Sequence, residues 1–376
     1  MQIPSKIPEN KNVEYKGKAN WLTKNLGRLL ISIIGPIITF LALWQGFVFL
    51  RSNEAPKLVT LIVAIVWGVG GIAALYLFSN MFVESLNPTW TRKLQPFVFI
   101  GPALAVVVYY LAIPTIRTMI ASLMNRDGSA FAGLDNYISV FTDPAMLVTF
   151  RNNLMWIGFG SSLTVIFGLL IATLADRSRF EAVVKTIIFM PMAISLVGAG
   201  VIWKFVYAAK DVSEPQIGLL NAIVVALGGQ PQAWIAQLQP WNNLFLIVIV
   251  IWMQTGYAMV IFSAAIKGIQ AEILEAARVD GANELQVFFK IMLPSILGTI
   301  IAVSTTVVIF TLKIFDVVIV LTGGQYGTEV IATQFYNQYF TFRNFGLGST
   351  LAVILLIAVI PVMIYNLREF NKREVF

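Results

Sequence analysis

The sequence predicts an all-α, polytopic membrane protein with eight transmembrane helices, and three observations support this prediction. Of the 376 residues, 58% are hydrophobic and only 12% are charged, which is about half the charged fraction of a typical soluble domain. The apolar residues form long, almost uncharged runs, each near the ~20 residues that a helix needs to cross a bilayer. These runs do not show the alternating ten-residue pattern of membrane β-barrels. Helices are the predicted spanning elements, because they pair their own backbone groups in lipid.

A polar break separates the first two predicted spans from the remaining six. The predicted spans are residues 29–50, 58–81, 95–119, 152–175, 184–208, 241–264, 295–321 and 347–366. The break follows the second span and contains Arg92 and Lys93. We therefore predict an N-terminal tail with an accessory hairpin over residues 1–94 and a six-span core over residues 95–376.

The distribution of Lys and Arg predicts the orientation of these spans. With the N-terminus on the inner side, 17 of the 26 basic residues lie in inner segments. Loops on the cytoplasmic side of a membrane carry such an excess. The expectation is that both termini lie in the cytoplasm, which also places residues 265–294 on the side where ATP is.

Several kinds of chemistry are excluded by composition. The chain has no Cys and no His, so it has no disulfide, no thiolate nucleophile and no imidazole-based metal site or acid–base pair. It also lacks the G-x-x-x-x-G-K-[ST] phosphate loop, so ATP hydrolysis by this chain is not expected. The net charge of +7 lies at the ends of apolar runs, which favours the positive-inside pattern over nucleic-acid binding.

One loop between two predicted spans, residues 265–294, carries a spaced motif, and we name it the EAA loop. The motif residues are Glu275, Ala276, Ala277, Gly281, Ile291, Leu293 and Pro294. Residues 271–280 are strong helix formers, and Gly281 provides a turn position. Residues 283–292 can form a second short helix that Pro294 ends. The prediction is a helix–turn–helix that lies along the membrane surface.

The side chains of this loop favour contact with another protein over contact with lipid. Ala276 and Ala277 are small enough for a partner surface to approach, and Glu275 offers a carboxylate to a cationic group. The alternative is an amphipathic helix that rests on lipid headgroups, for which a basic polar face is typical. The loop instead contains more acidic than basic side chains, namely Glu272, Glu275, Asp280 and Glu284 against Arg278 and Lys290.

At these motif residues the chain resembles the permease subunits of bacterial ABC importers. Residues 131–137 are similar to an outer-loop signature of sugar-importer permeases, as are Leu312–Asp316 followed by Leu321–Gly324. Roughly residues 95–370 resemble the larger subunit of the maltose-type importer, which also has two extra leading spans. The stretch from Gly324 to Ala332 looks more like α-glucoside and glucosylglycerol permeases. One departure is Gln270, where the family often has proline.

The resemblance implies a type I importer core in the bacterial cytoplasmic membrane and a set of partners. It implies a second homologous permease, two ATP-binding cassette ATPases that carry ATP and Mg, and an extracytoplasmic solute-binding protein. Each permease would present one such loop to an ATPase, so this chain itself would bind no cofactor and would not be an enzyme. The substrate would be a sugar, either an oligosaccharide or a glycoside, moved by alternating access.

The resemblance also implies a substrate path through the sixth and seventh predicted spans. Gln254 and Tyr257 share one helix face, and Phe310, Thr311 and Ile314 match substrate-site positions of the maltose-type subunit. A sugar needs hydrogen bonds to its hydroxyl groups and an aromatic face for its C–H side, and this set offers both. The alternative is that these polar residues only join helices.

Two charged residues near the outer end of the seventh predicted span are a second candidate feature. Lys313 and Asp316 are three residues apart, so they could neutralise one another as an ion pair or gate the substrate. Asp316 is nearly the only acidic residue inside a span. This scarcity weighs against an ion-coupled secondary transporter, which needs relay groups within its spans. A membrane enzyme would need carboxylates clustered at one membrane face, whereas the acidic residues here gather only in the EAA loop.

Overall fold

The computed structural model describes residues 18–52, 55–86, 88–236 and 241–373, and over these residues the predicted all-α class is confirmed. This part of the chain has no β-strand and one isolated bridge, between Met124 and Phe131. Its helices are α1 (Lys18–Ser52), α2 (Lys57–Glu84), α3 (Pro88–Ala121), α4 (Asp135–Thr142), α5 (Pro144–Ala175), α6 (Glu181–Ala193), α7 (Leu196–Val206), α8 (Leu219–Ala226), α9 (Trp241–Lys267), α10 (Ala271–Val279), α11 (Glu284–Ser295), α12 (Leu297–Leu312), α13 (Asp316–Leu321), α14 (Ile331–Tyr336) and α15 (Phe345–Arg373).

The chain forms two compact units, divided within α3 between Pro114 and Thr115. In the first unit, α1 and α2 form a hairpin in which aromatic side chains cover glycines. The Trp67 ring fills the space beside Gly46, and its Nε1 donates a hydrogen bond to the Leu43 carbonyl at 2.7 Å. The predicted functional boundary at residues 94 and 95 stays a prediction.

Six of the described helices are long and apolar enough to cross a membrane: α1 over Leu30–Ser52, α2, α3, α5, α9 and α15 over Phe345–Arg368. Two further candidates are bent pairs, with 103° between α6 and α7 and 71° between α11 and α12. The predicted total of eight spans is reached when each bent pair counts as one span.

The structure corrects the outline of two predicted spans. The span over 184–208 is broken where a 3-10 turn over Met190–Ala193 contains Pro191, and Ser195 then caps α7 through its Oγ. The span over 295–321 is interrupted because α12 ends at Leu312 and α13 begins at Asp316. A proline and a local side-chain cap favour ending a helix over continuing it, even inside an apolar run.

The second unit is organised around α9, half of whose most apolar window is buried inside the protein. Glycines allow two neighbouring helices to lie directly against it. A Cβ at Gly168 of α5 would lie 2.5 Å from the Cβ of Ala258. A Cβ at Gly256 of α9 would lie 2.6 Å from the Ile188 carbonyl oxygen in α6. Neither distance allows a real side chain, so these backbones approach closely only because glycine is present.

Buried asparagines hold the chain segment between α13 and α14. Asn152 donates to the carbonyls of Gly327 and Glu329, both at 2.8 Å, and Asn242 donates to the Tyr326 carbonyl at 2.6 Å. Asn153 accepts from the Ile331 amide at 2.7 Å, so it joins α5 to the start of α14. Amide side chains here satisfy backbone groups that an irregular segment would otherwise leave unpaired in a buried place.

Candidate functional site

The EAA loop folds as the predicted helix–turn–helix. Helix α10 covers Ala271–Val279, and Gly281 turns the chain with a positive φ of 83°, a conformation that favours glycine. Helix α11 begins at Glu284 after a reciprocal cap in which Asn283 and Gln286 exchange two hydrogen bonds of 2.8 Å. The turn and the cap are both encoded locally, so this part of the loop follows directly from its sequence.

The end of this loop differs from the prediction at Pro294. The proline does not end the second helix, because α11 continues to Ser295 and the chain bends at Ile296. Pro294 follows a π-helical segment over Phe288–Met292, in which the ordinary hydrogen-bond spacing is already altered. The missing amide of proline is therefore tolerated where the helix is already irregular. Leu293 is half-buried, as is Ile291, whereas Pro294 is exposed.

The two alanines of the motif point in different directions. Ala277 is 9% exposed and packs with Val287, Phe262 and Ile266 in one apolar cluster. Ala276 is exposed, so the two do not both offer a surface to a partner. The small size of Ala277 serves the packing of the loop onto the end of α9.

The opposite face of the EAA loop is exposed and partly apolar. Val279 is 86% exposed, Leu285 70% and Phe289 61%, and exposed apolar side chains grouped in one short loop can mark an interaction site. Glu275 lies exposed on α10 and, within the described chain, makes no hydrogen bond or ion pair. An exposed row of apolar side chains with a free carboxylate is suited to a protein groove that offers a cation.

Charge on this loop is partly neutralised from within the protein. Glu284 accepts from Arg278 Nε at 3.0 Å and pairs with Arg177 Nη2 at 2.6 Å. Among the described residues, Glu272 and Asp280 form no ion pair. Lys290 is exposed and also forms no ion pair within the described chain. The unpaired carboxylates of Glu272, Glu275 and Asp280 therefore outnumber the unpaired cation and leave the loop surface acidic.

Gln270, at a position where the family often has proline, does not alter the start of α10. Gln270 occupies the cap position with φ −59° and ψ 128°. That φ lies within the range to which proline is locked, near −65°. The backbone therefore adopts here the conformation that the family's usual proline would impose.

The predicted substrate-path residues fall into two groups. Gln254 and Tyr257 lie on α9 and are half-buried, and neither side chain makes a hydrogen bond within the described chain. Phe310 is half-buried as well. Thr311 is 0% exposed, and Ile314 is 2% exposed within the core around α9. Thr311 Oγ1 lies 2.9 Å from Ser161 Oγ, so it joins α12 to α5 and does not line an open path in this structure.

The predicted ion pair between Lys313 and Asp316 is not formed in this structure. Lys313 is exposed at the end of α12, and Asp316 begins α13 after a break at Phe315, whose φ is −141°. Their spacing of three residues would bring them together only on a continuous helix.

The segment over residues 131–137, which resembles an outer-loop signature, is hydrogen-bonded to the chain just after the end of α3. Asn136 Nδ2 donates to the Met124 carbonyl at 2.7 Å, and Tyr137 Oη lies 2.8 Å from Ser122 Oγ. These contacts leave Phe131 75% exposed and Leu134 63% exposed. A braced turn therefore presents apolar side chains outward.

The segment between α13 and α14 also carries Glu329, whose carboxyl pKa is shifted by its surroundings. Burial raises the pKa of the Glu329 carboxyl, while hydrogen bonds from Gln334 and Asn337 act in the opposite direction. Desolvation is the larger effect, because removing a carboxylate from water disfavours its charged form.

Two groups of residues that the structure brings together were not predicted from the sequence. The asparagines Asn152, Asn153 and Asn242 lie in or beside predicted spans, where their cost in lipid is a usable signal. Arg177 is one of the basic residues in the predicted inner segments, and no pattern in the sequence indicates its pairing with Glu284, 107 positions away.

Similarity to known proteins covers the region that holds the EAA loop and the helices around it. The family model described as binding-protein-dependent transport system inner membrane component matches residues 164–373. The osmoprotective compounds uptake permease protein GgtC of Synechocystis sp. is 52% identical over 277 residues, which cover 74% of this chain and 99% of that protein. The alpha-glucoside transport system permease protein AglF of Rhizobium meliloti is 47% identical over 293 residues, covering 78% of this chain and 87% of that protein.

Solved structures show the same fold at low sequence identity. One is a bacterial ABC transporter involved in the import of the acidic polysaccharide alginate, with TM-score 0.63, 22% identity, 74% coverage of this chain and 96% of that chain. Another is a bacterial alginate ABC transporter in complex with alginate pentasaccharide-bound periplasmic protein, with TM-score 0.64 and 20% identity, covering 73% of this chain and 93% of that chain.

Proposed function

The chain belongs to the family of binding-protein-dependent transport system inner membrane components, and on that premise we propose that it imports a sugar, either an oligosaccharide or a glycoside. The observation that carries this proposal is the similarity to AglF and GgtC. Both match about three quarters of this chain at 47–52% identity, and AglF is named for alpha-glucoside transport.

The half-buried polar and aromatic residues near α9 are the proposed substrate contacts. Gln254 and Tyr257 have hydrogen-bonding groups without partners in the described chain, and they lie one helical turn apart. A polar group at membrane depth is costly unless it meets water, a ligand or another chain. Sugar hydroxyl groups would satisfy both side chains, and Phe310 would supply an aromatic surface for the C–H face of a sugar ring. Thr311 and Ile314 are better suited to holding α12 in place.

The EAA loop is the proposed docking site for an ATPase. Its exposed apolar side chains and the free carboxylate of Glu275 support contact with a partner, while Ala277 and Val287 attach the loop to the end of α9. Two ATP-binding cassette subunits would carry ATP and Mg, and one would receive this loop. The other would receive the corresponding loop of a second, homologous permease.

The surface at the far end of the pathway would receive an extracytoplasmic solute-binding protein. This assignment follows from the proposed orientation, with both termini and the EAA loop in the cytoplasm. The exposed side chains of Phe131 and Leu134, presented by a braced turn, offer apolar contact to such a partner.

The proposed mechanism follows from the position of the EAA loop, including its helix α11, between α9 and α12. Closure of the ATPase pair around ATP would displace the EAA loop as a unit, because its own turn and cap hold its helices together. Helix α9, which forms the centre of its unit, would move with the loop and open the path outward. Hydrolysis would release the ATPase pair and return the path to the inward state.

The substrate class can be tested with the reconstituted complex of both permeases, both ATPases and the binding protein in lipid vesicles. We expect ATP hydrolysis to rise when the binding protein carries an α-glucoside or a glycosyl polyol, and those compounds to accumulate in the vesicles. Stimulation only by amino acids or other non-sugar solutes would overturn the proposal. Uptake that follows an ion gradient without ATP would favour a secondary transporter.

A further inference from the structure

Two consecutive residues at the end of α5 make ionic contacts toward different parts of the protein. The Asp176 carboxylate accepts a hydrogen bond from Ser263 Oγ at 2.7 Å and pairs with Lys185 Nζ at 2.5 Å, on α9 and α6 respectively. The next residue, Arg177, instead pairs with Glu284 of the EAA loop. The turn between α5 and α6 is therefore joined to α9 and α6 through Asp176 and to the EAA loop through its neighbour Arg177.

The contacts of Asp176 belong to a compact cluster that ties α5, α6 and α9 together. Lys185 Nζ also lies 2.5 Å from Glu181 Oε1, and Lys267 at the end of α9 pairs with the same carboxylate. Two cations and two carboxylates neutralise one another here. The side chains of Asp176 and Lys185 are only 10% and 19% exposed, so salt screens their attraction little. The three helix ends are therefore held as one block.

Arg177 pairs with Glu284, a residue that contacts both helices of the EAA loop. Glu284 lies in the first turn of α11, directly after the cap residue Asn283, and its second oxygen accepts from Arg278 of α10. One carboxylate therefore joins both helices of the loop to the α5–α6 turn. These arginine and glutamate side chains are 47–50% exposed, and such pairs contribute little to folding stability.

We propose that the Arg177–Glu284 ion pair is a second mechanical connection through which the EAA loop moves α5 and α6. The inference rests on the proposed function, in which an ATPase displaces this loop. The covalent connections of the loop lead only to α9 on one side and, through the bend after Ser295, to α12 on the other. With the ion pair, displacement of Glu284 is passed to Arg177 and, through the Asp176 cluster, to the ends of α5 and α6. Arg177 and Glu284 are therefore positioning residues for coupling.

The first test removes the ion pair in the complete reconstituted transporter. We expect Arg177→Ala and Glu284→Gln to lower the amount of substrate moved per ATP about two- to fivefold, the size that a half-exposed ion pair can supply. Arg177→Lys keeps the charge and should retain most of the coupling. Arg179→Ala is the matched control, because Arg179 lies in the same turn and stacks 4.8 Å over its neighbour Phe180 but forms no ion pair in the described structure.

The second test separates a coupling role from a folding role. The chain has no native cysteine, so the double variant Arg177→Cys/Glu284→Cys carries a unique thiol pair. We expect poor coupling in the reduced protein, and recovery after assembly when a short thiol cross-linker joins the two positions. A residue needed only for folding would show no such recovery.

The outcomes distinguish this inference from the proposed function. Unchanged transport per ATP in Arg177→Ala, or no recovery on cross-linking, overturns the second connection while ATP-driven uptake by the unaltered complex still supports the proposed function. Failure of the unaltered complex to take up any sugar with ATP overturns the proposed function, and this inference with it.

Discussion

At the scale of single residues, neighbouring side chains in the EAA loop have separate tasks. Ala277 is enclosed against the end of α9, whereas Glu275 and Ala276 remain on the exposed face. The helical period places residues 275 and 277 about 200° apart around the axis, so they cannot share one face. The spacing in the sequence therefore predicts that residues 275 and 277 lie on opposite sides of the helix. Only the packed structure shows that Ala277 is the enclosed alanine.

Replacing Glu275 tests the docking site at this scale. We expect Glu275→Ala to weaken ATPase binding by about 1.5–3 kcal/mol, the usual contribution of a charge-assisted hydrogen bond. Membrane insertion should not change, because the exposed side chain makes no hydrogen bond or ion pair in the described chain. Co-purification of the ATPase and ATP-driven uptake measure the effect.

A matched control for this change is Glu214→Ala. Glu214 is also an exposed glutamate, and its ion pair with Lys210 at 3.0 Å lies far along the chain from the EAA loop. We expect normal ATPase binding in this variant. Normal binding and uptake in Glu275→Ala as well would contradict the docking assignment.

At the scale of elements, local signals and tertiary contacts determine different helices. The EAA loop folds as predicted because helix formers, a glycine turn and a reciprocal cap act within a few residues. The breaks within the spans over 184–208 and 295–321 were not predicted, although Pro191 was visible in the sequence. Hydrophobicity over a long stretch indicates that the segment lies in the membrane, but it does not indicate whether the helix is continuous.

The close approach of α5 and α9 leads to a prediction at the same scale. We expect Gly168→Ala to destabilise the protein by about 1–3 kcal/mol, because its Cβ would lie 2.5 Å from the Ala258 Cβ and 3.1 Å from the Met259 amide nitrogen. Gly158→Ala, on the same helix, is the control, since its Cβ would meet nothing within 4 Å. The apparent Tm of the purified protein measures both, and equal values would show that α5 and α9 adjust without cost.

At the scale of the whole molecule, the chain extends beyond the region that matches its relative GgtC. GgtC is matched over 99% of its length, yet this match covers 74% of the present chain and leaves about a quarter without a counterpart. The predicted accessory hairpin over residues 1–94 has a similar size. The family model likewise begins only at residue 164.

Removal of residues 1–87 tests whether the hairpin is accessory. We expect the shortened chain to insert in the same orientation, because two spans are lost together and Arg92 and Lys93 remain at the start of α3. Its assembly with the other subunits and its ATP-driven uptake should resemble those of the full-length protein. Loss of assembly would instead make the hairpin part of the transport core.

The sequence by itself determined the membrane class, the approximate position of the spans and the helix–turn–helix form of the EAA loop, because composition, span length and local capping act over short stretches of chain. Only the tertiary structure decided that Thr311 bridges α5 and α12, that Lys313 and Asp316 form no ion pair, and that Arg177 meets Glu284. These facts depend on the helix break after Leu312 and on contacts between segments that are distant in the chain. No local preference specifies such contacts, since they form only when the helices pack.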